Sequence, residues 1–150
     1  MHKKRQRVKK RTKSRTEPSK SFKRGYSVLK KMGRESLMLD QKANYPDMYD
    51  MSVSHLFGDV WGRPGLSLRD RQLITLAANI ALCRPRGNYS HYRSAMHIGI
   101  KKEEIFELMI QVAHYAGWPT LSLANSQFSE VLKQEADRKK GINLDKPLLV

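Results

Sequence analysis

The sequence predicts an all-α fold, and three observations support this class. Apolar residues recur every three or four positions through most of the chain after residue 21. Segments that contain glycine and proline, such as 62–65 and 84–87, interrupt this pattern at intervals that suit helices. No stretch shows the sustained alternation of apolar and polar residues that is typical of a half-buried strand. We therefore expect six helices packed as a bundle.

Two amphipathic helices are predicted in the first half of the chain. Phe22, Tyr26 and Leu29 mark the apolar face of the first, which we expect to extend to about residue 38. The second is expected from about residue 47 to 61, where apolar side chains again follow helical spacings. The glycines and the proline of residues 62–65 then end it.

The third helix has a clear start and an apolar interior. Ser67 is a candidate N-cap, and the Asp70 carboxylate three residues later suits the positive end of the helix. Residues 73–82 are apolar on nearly every side, which predicts a central, buried helix. Because a cation at this end opposes the helix dipole, we expect Arg69 or Arg71 to have a carboxylate partner, either in the protein or on a ligand.

Three further helices complete the prediction. The fourth is expected to begin at an Asn88 or Ser90 cap and to stop at Gly99. The fifth covers residues 102–115, with glutamates in its first turn and apolar residues along one face. The sixth starts at the Gly-Trp-Pro sequence of residues 117–119.

The charge is distributed unevenly along the 150 residues. The chain has 29 Lys and Arg against 14 Asp and Glu, a formal net charge of +15. Residues 1–31 carry +13 of it, and the rest is nearly neutral. We therefore predict a disordered basic arm over residues 1–21 and a helical domain over 22–150, with a loose tail after residue 141. The arm fits a nucleic-acid contact or a nuclear import signal, although it has no aromatic residue for stacking, and it equally fits a solubilising tail.

Composition excludes several classes of protein. The longest mostly apolar stretch, residues 73–83, falls well short of the roughly 20 residues that span a bilayer, so we expect no membrane partner. The basic N-terminus has no apolar segment after it, which argues against a secretory signal. Cys83 is the single cysteine, so no internal disulfide and no paired-cysteine redox or zinc site can form. A reducing, cytoplasmic location fits these features.

Polar residues on apolar helices are the candidates for chemistry. His91 shares one helix face with Ala95 and Ile98, so its imidazole should point inward or into a cleft. There it could exchange a proton near neutral pH, or it could be a core histidine with no further role. His97 lies about 240° around the same helix and is expected at the surface.

The remaining histidines and the cysteine are weaker candidates for a functional site. No histidine pair has a metal-ligand spacing, so we expect no metal site. The arginines at positions 84 and 86 could lower the pKa of the Cys83 thiol. A lone cysteine at the end of an apolar helix is nevertheless more often a small core residue, and we predict that role for it.

The segment GDVWGRPGLSLRDR at residues 58–71 resembles the γ-carboxymuconolactone decarboxylase family. Members of that family carry a GDVWxRPGL sequence followed by an arginine-rich helix start. The resemblance continues in order and spacing through residues 73–82, 90–95, 99–105 and 111–119. These blocks together cover most of residues 22–132.

The resemblance implies an alkylhydroperoxidase D-like helical fold, assembled as trimers or hexamers. It also implies decarboxylation of 4-carboxymuconolactone to an enol-lactone without a cofactor, a step of aromatic catabolism in the β-ketoadipate pathway. The peroxidase branch of the superfamily has a CxxC pair before the matching histidine. Here Arg84 and Gly87 occupy those positions, so a thiol peroxidase is excluded.

The implied reaction assigns roles to individual residues. Loss of CO2 leaves a dienolate, which needs a hydrogen-bond donor at the lactone oxygen, cations for the substrate carboxylates and an acid for carbon. We assign His91 as donor or proton shuttle and Arg71 as the carboxylate clamp. Trp61 and Tyr115 are predicted to line the substrate pocket.

The chain departs from the family pattern at three places. The acidic residue that commonly precedes the matching histidine is absent from residues 86–90. His114 replaces a common aliphatic residue and is expected to bring a polar group into or near the core. The basic arm is an addition. An alternative is therefore a catalytically divergent family member, an oligomeric scaffold whose arm binds nucleic acid or an acidic partner.

Overall fold

The structure is a computed structural model that describes residues 17–141, and it confirms the all-α class. No strand occurs within that range. Residues 1–16 of the predicted arm and the predicted tail after residue 141 lie outside it. None of the helices described is both long and apolar enough to cross a membrane. The elements follow in chain order: α1 Lys20–Lys31, a 3₁₀ turn Ser36–Met38, α2 Leu39–Asn44, α3 Pro46–Met51, a π-helical segment Ser52–Trp61, α4 Leu68–Ala81, α5 Pro85–His97, α6 Lys102–Ala116 and α7 Trp118–Lys139.

Helices α4 to α7 surround the larger of two apolar clusters. Leu76 and Ile80 of α4 meet Tyr92 of α5, and Phe128 of α7 packs on Tyr92 with ring centroids 4.9 Å apart. The smaller cluster joins α1 to the π-helical segment through Leu29, among other residues. Burial of these apolar side chains supplies the main driving force for both units.

Two glycines let α1 contact the π-helical segment backbone to backbone. A Cβ atom at Gly25 would lie 1.8 Å from the carbonyl oxygen of Val53, and one at Gly58 would lie 2.3 Å from that of Ser21. Arg24 Nε donates to the Gly58 carbonyl over 2.6 Å across the same contact. This close approach fixes where the end of α1 and the end of the π-helical segment lie relative to each other.

The first predicted helix is shorter than expected, and its end has a specific cause. Gly33 has a φ of +63°, a left-handed conformation that stops the helix. Its N–H donates to Lys30 O over 3.0 Å, and the N–H of Arg34 donates to Leu29 O over 3.0 Å. This pattern is a Schellman motif. The prediction that the helix extends to about residue 38 was therefore wrong.

The start of α4 was predicted correctly, whereas that of α5 was not. Ser67 caps α4, its Oγ accepting the Asp70 N–H over 3.0 Å. Helix α5 begins at Pro85, whose missing N–H costs nothing in a first turn. Asn88 and Ser90 consequently lie inside α5 and are buried, so neither is its cap.

The expectation that α4 is buried on nearly every side was also wrong for the single chain. One face packs inward through Gln72, Leu76 and Ile80. On the other face, Ile74 is 55% and Leu82 is 63% exposed.

His97, Cys83 and His114 all lie at the surface. His97 is exposed, as expected. Cys83 is exposed rather than in the core, because a φ of +49° turns the chain away at the end of α4. His114 is exposed as well and packs its ring against Trp118, so it brings no polar group into the core.

Candidate active site

His91 of α5 is half-buried and faces the first turns of α4. The Gln72 side-chain amide of α4 donates to the main-chain carbonyl of His91 over 2.9 Å. The same amide brings its Nε2 within 3.1 Å and its Oε1 within 3.4 Å of His91 Nδ1. Gln72 is fully buried, so it holds both the backbone and the ring of His91 in place.

Arg34 places a guanidinium against the same imidazole. Its Nη1 lies 3.3 Å from Nε2 and 3.5 Å from Nδ1 of His91, and its Nη2 donates to Ser90 Oγ over 3.0 Å. Its Cζ also lies 5.7 Å from the ring centroid of Phe57, a cation–π arrangement. A guanidinium can only donate, so this contact favours a neutral imidazole, in which one of the two ring nitrogens is an acceptor.

His91 and Arg34 differ in their charge near neutral pH. Burial, and then the positive charge of Arg34, lower the pKa of His91 from 6.5 to about 3. Burial also lowers the pKa of Arg34, to about 10. Near pH 7 the imidazole is therefore neutral and the guanidinium charged, so the cation at this site is Arg34.

Trp61 contacts His91 and also lines two surface cavities. Its indole stacks on the imidazole with centroids 5.9 Å apart and planes 17° apart. Trp61 also lines a cavity of about 120 Å³ together with Arg71, and a larger one of about 300 Å³ together with Lys31 and Arg63. The indole is therefore a wall that His91 shares with both cavities.

Arg71 lines one of these cavities and has a hydrogen-bond donor without a partner among residues 17–141. Its Nη2 donates to the Arg63 carbonyl over 3.1 Å. Its Nε is buried and has no hydrogen-bond partner among residues 17–141. A cation with a free donor at a cavity wall can bind a carboxylate.

The model of the carboxymuconolactone decarboxylase family matches residues 46–129, more than half of the chain. The chain belongs to this family. The matched range contains His91, Gln72, Trp61 and Arg71, whereas Arg34 precedes it.

A curated relative supports the same assignment for this carboxymuconolactone decarboxylase family member. The chain is 35% identical over 89 residues to a protein of Acinetobacter baylyi named 4-carboxymuconolactone decarboxylase. The aligned region covers 59% of this chain and 66% of the relative, slightly under two thirds of its length.

Two expectations about arginine and tyrosine have different outcomes in this family member. Arg69 forms a salt bridge with Glu104 of α6, which confirms that one arginine near the start of α4 has a carboxylate partner. Tyr115 lies near the end of α6 with 86% of its surface exposed, and it lines neither cavity beside Trp61. Within one chain the structure therefore does not bring Tyr115 to His91.

Sequence reasoning missed Arg34 and Gln72. Gln72 is a polar neighbour of His91, and it comes from α4 rather than from the residues just before His91. Arg34 had one available signal, the glycine that precedes it at the end of a basic amphipathic helix. Such a glycine predicts a left-handed cap, but it does not show which side chain the turn will direct inward.

Proposed function

We propose that the protein is a carboxy-lyase that decarboxylates 4-carboxymuconolactone, or a closely related lactone, to an enol-lactone without a cofactor. The observation that carries the proposal is the contact between a neutral His91 and a charged Arg34. Trp61 stacks on the His91 imidazole, and it also lines cavities whose walls include further arginines. The family membership and the name of the Acinetobacter baylyi relative support the same reaction.

The reaction needs an acceptor for one electron pair. The bond between the ring γ-carbon and its carboxylate breaks, CO2 leaves, and the pair moves through the C=C bond onto the lactone carbonyl oxygen. The resulting dienolate takes a proton at the α-carbon, which leaves the double bond between the β- and γ-carbons. The substrate itself delocalises the electrons, so the protein must bind, stabilise the oxyanion and deliver a proton.

Arg34 and His91 can divide these tasks. The Arg34 guanidinium supplies positive charge and donors for the oxyanion. His91 enters the reaction neutral, so it acts as a proton shuttle rather than as a preloaded acid. The negative charge of the dienolate raises the proton affinity of the imidazole, which then takes up a solvent proton and passes it to carbon.

Substrate binding falls to the residues around Trp61. Arg71 would clamp a carboxylate through its guanidinium, and Trp61 would form the apolar wall beside the departing carboxylate. Tyr115 would complete the pocket from a neighbouring subunit, since it is exposed in its own chain. Self-association, as the trimer or hexamer that the resemblance implies, is supported by the exposed apolar side chains on α4 and α6, such as Ile74 and Ile110.

The experiment that tests the function follows the ultraviolet absorbance of the conjugated lactone. The wild-type protein should remove this absorbance, and His91→Ala should lose most of the turnover while its helical circular dichroism remains. His97→Ala is the matched control, because it removes an exposed histidine from the same helix. Unchanged turnover by His91→Ala, or no turnover by the wild type, would contradict the proposal.

A second candidate function is supported by the charge on α1. Lys20, Lys30 and Lys31 are exposed on α1, which is separated by three residues from the basic sequence of residues 1–16. The protein would then be an oligomeric scaffold that binds nucleic acid. Salt-sensitive retention on RNA or DNA, lost on deletion of residues 1–16, would support this function, and retention that ignores salt would contradict it.

A further inference from the structure

A groove of about 500 Å³ lies between the end of α1, helix α5 and the last turns of α7. One side of the groove is apolar, and the other is cationic. It shares no lining residue with the two cavities beside Trp61. The apolar side is formed by Met32, Met96 and Leu132, and the cationic side by Arg93, Arg138 and Lys139.

Arg93 is the most buried cation in this groove, and its hydrogen bonds are incomplete. Its side chain is only 12% exposed. Its Nη2 donates to Gln134 Oε1, while Nε and Nη1 have no hydrogen-bond partner in the part of the chain that the structure describes. Nε lies 3.4 Å from Glu135 Oε1, an ion pair without hydrogen-bond geometry. Buried charged donors without acceptors are unfavourable, and they commonly indicate a ligand, ion or water.

The groove is lined by fewer acidic than basic side chains. Glu135 Oε1 lies 3.4 Å from Nη1 of Arg138 as well, so two guanidiniums share one carboxylate. Lys139 adds a third cation. The nearby Glu130 carboxylate is already occupied, because it accepts hydrogen bonds from Tyr89 and Gln134. An added anion would reduce the repulsion between the cations.

We propose that this groove binds a small organic carboxylate with an apolar body. The carboxylate would lie beside Arg93, Arg138 and Lys139, and the body would cover Met32 and Met96. A phosphate or sulfate ion would satisfy the cations but would leave the apolar side exposed to water. His91 does not line the groove, so this is a binding site separate from the proposed reaction.

The methionine methyl groups provide a direct readout. The chain has seven methionines, of which Met32 and Met96 line the groove. Met48 and Met51 are exposed elsewhere and serve as internal references. Titration with benzoate should shift the ¹³C-methyl NMR signals of Met32 and Met96 in a saturable way. Benzamide, which has the same ring without the charge, should shift them far less.

A pair of charge-matched variants tests the cationic side. Arg138→Gln should weaken benzoate binding by about tenfold or more, since it removes a charge-assisted hydrogen bond. Lys133→Gln removes one charge from an exposed position of the same helix outside the groove and should bind benzoate like the wild type. Equal affinities of the two variants, equal shifts with benzamide, or no saturable shift at Met32 and Met96 would each overturn the proposal.

Discussion

Nη1 of Arg34 lies 3.3 Å from Nε2 of His91, so a permanent cation contacts the imidazole of the family's histidine position. Two residues that are 57 positions apart in sequence are therefore in direct contact, and the charge of one lowers the pKa of the other. Burial, and then the positive charge of the guanidinium, keep the imidazole neutral, so the two buried groups do not repel each other as two cations would. This relationship gives the site its charge and leads to the first two predictions.

The stability of the protein should depend on pH through His91. Its pKa is about 3 in the folded state and near 6.5 when unfolded, so between these values the unfolded chain binds the extra proton. Stability should therefore fall as pH is lowered from 6.5 towards 3, by up to about 1.4 kcal/mol per pH unit. Urea unfolding at several pH values should show a shallower dependence for His91→Gln. An unchanged slope in His91→Gln would contradict the lowered pKa.

Removing the cation should affect both the reaction and the imidazole. Arg34→Gln should lower kcat by about 100-fold, the usual effect of losing one oxyanion donor. It should also raise the pKa of His91, which would stay below 6.5 because burial is the larger cause of the shift. Lactone turnover and ¹⁵N NMR of the imidazole measure the two effects. Arg69→Gln, which removes a surface salt bridge, is the control, and a similar kcat for both variants would argue against a catalytic Arg34.

The buried amide next to His91 can be converted into a carboxylate. Gln72→Glu would place a negative charge about 3 Å from Nδ1 and should raise the pKa of His91 by about 1–3 units. The histidine should then titrate closer to neutral pH, and the pH profile of kcat should shift with it. Gln111→Glu makes the same chemical change at an exposed position of α6. An imidazole pKa that does not differ between these variants would show that Gln72 is not in contact with the ring.

The contact between α1 and the π-helical segment should tolerate no added methyl group. Gly25→Ala would place a Cβ atom 1.8 Å from the Val53 carbonyl oxygen, which only a backbone shift can relieve. We expect a loss of about 3 kcal/mol or more in the free energy of unfolding. Gly65→Ala has no atom within 4 Å of the new Cβ and should change stability by less than about 0.5 kcal/mol. Similar melting temperatures for the two variants would contradict the observed packing.

Local signals in the sequence were sufficient for some elements of the fold and the site. The apolar spacing predicted the all-α class, and the Ser67 cap is visible because its partner Asp70 is only three residues away. The inward direction of His91 followed from its helical neighbours. Each of these features depends on residues within one or two helical turns.

Other features depend on distant parts of the chain and could not be predicted in the same way. The contact of Arg34 with His91 requires both the left-handed turn at Gly33 and the packing of α1 on the π-helical segment. The apolar pattern of α4 predicted complete burial, but composition alone does not show whether a surface is covered within one chain or by another. Tyr115 was assigned from the resemblance alone, and its exposure indicates that any pocket role would need a second subunit.

The position of Arg34 also has an evolutionary consequence. The family segment at residues 46–129 supplies the imidazole, its amide partner and the tryptophan, whereas the guanidinium comes from the turn after α1. The proton affinity of the histidine can therefore change through substitutions in the preceding segment, while the family segment itself stays the same. A substitution at position 34 alone would in this way retune the histidine without altering any residue of the family segment.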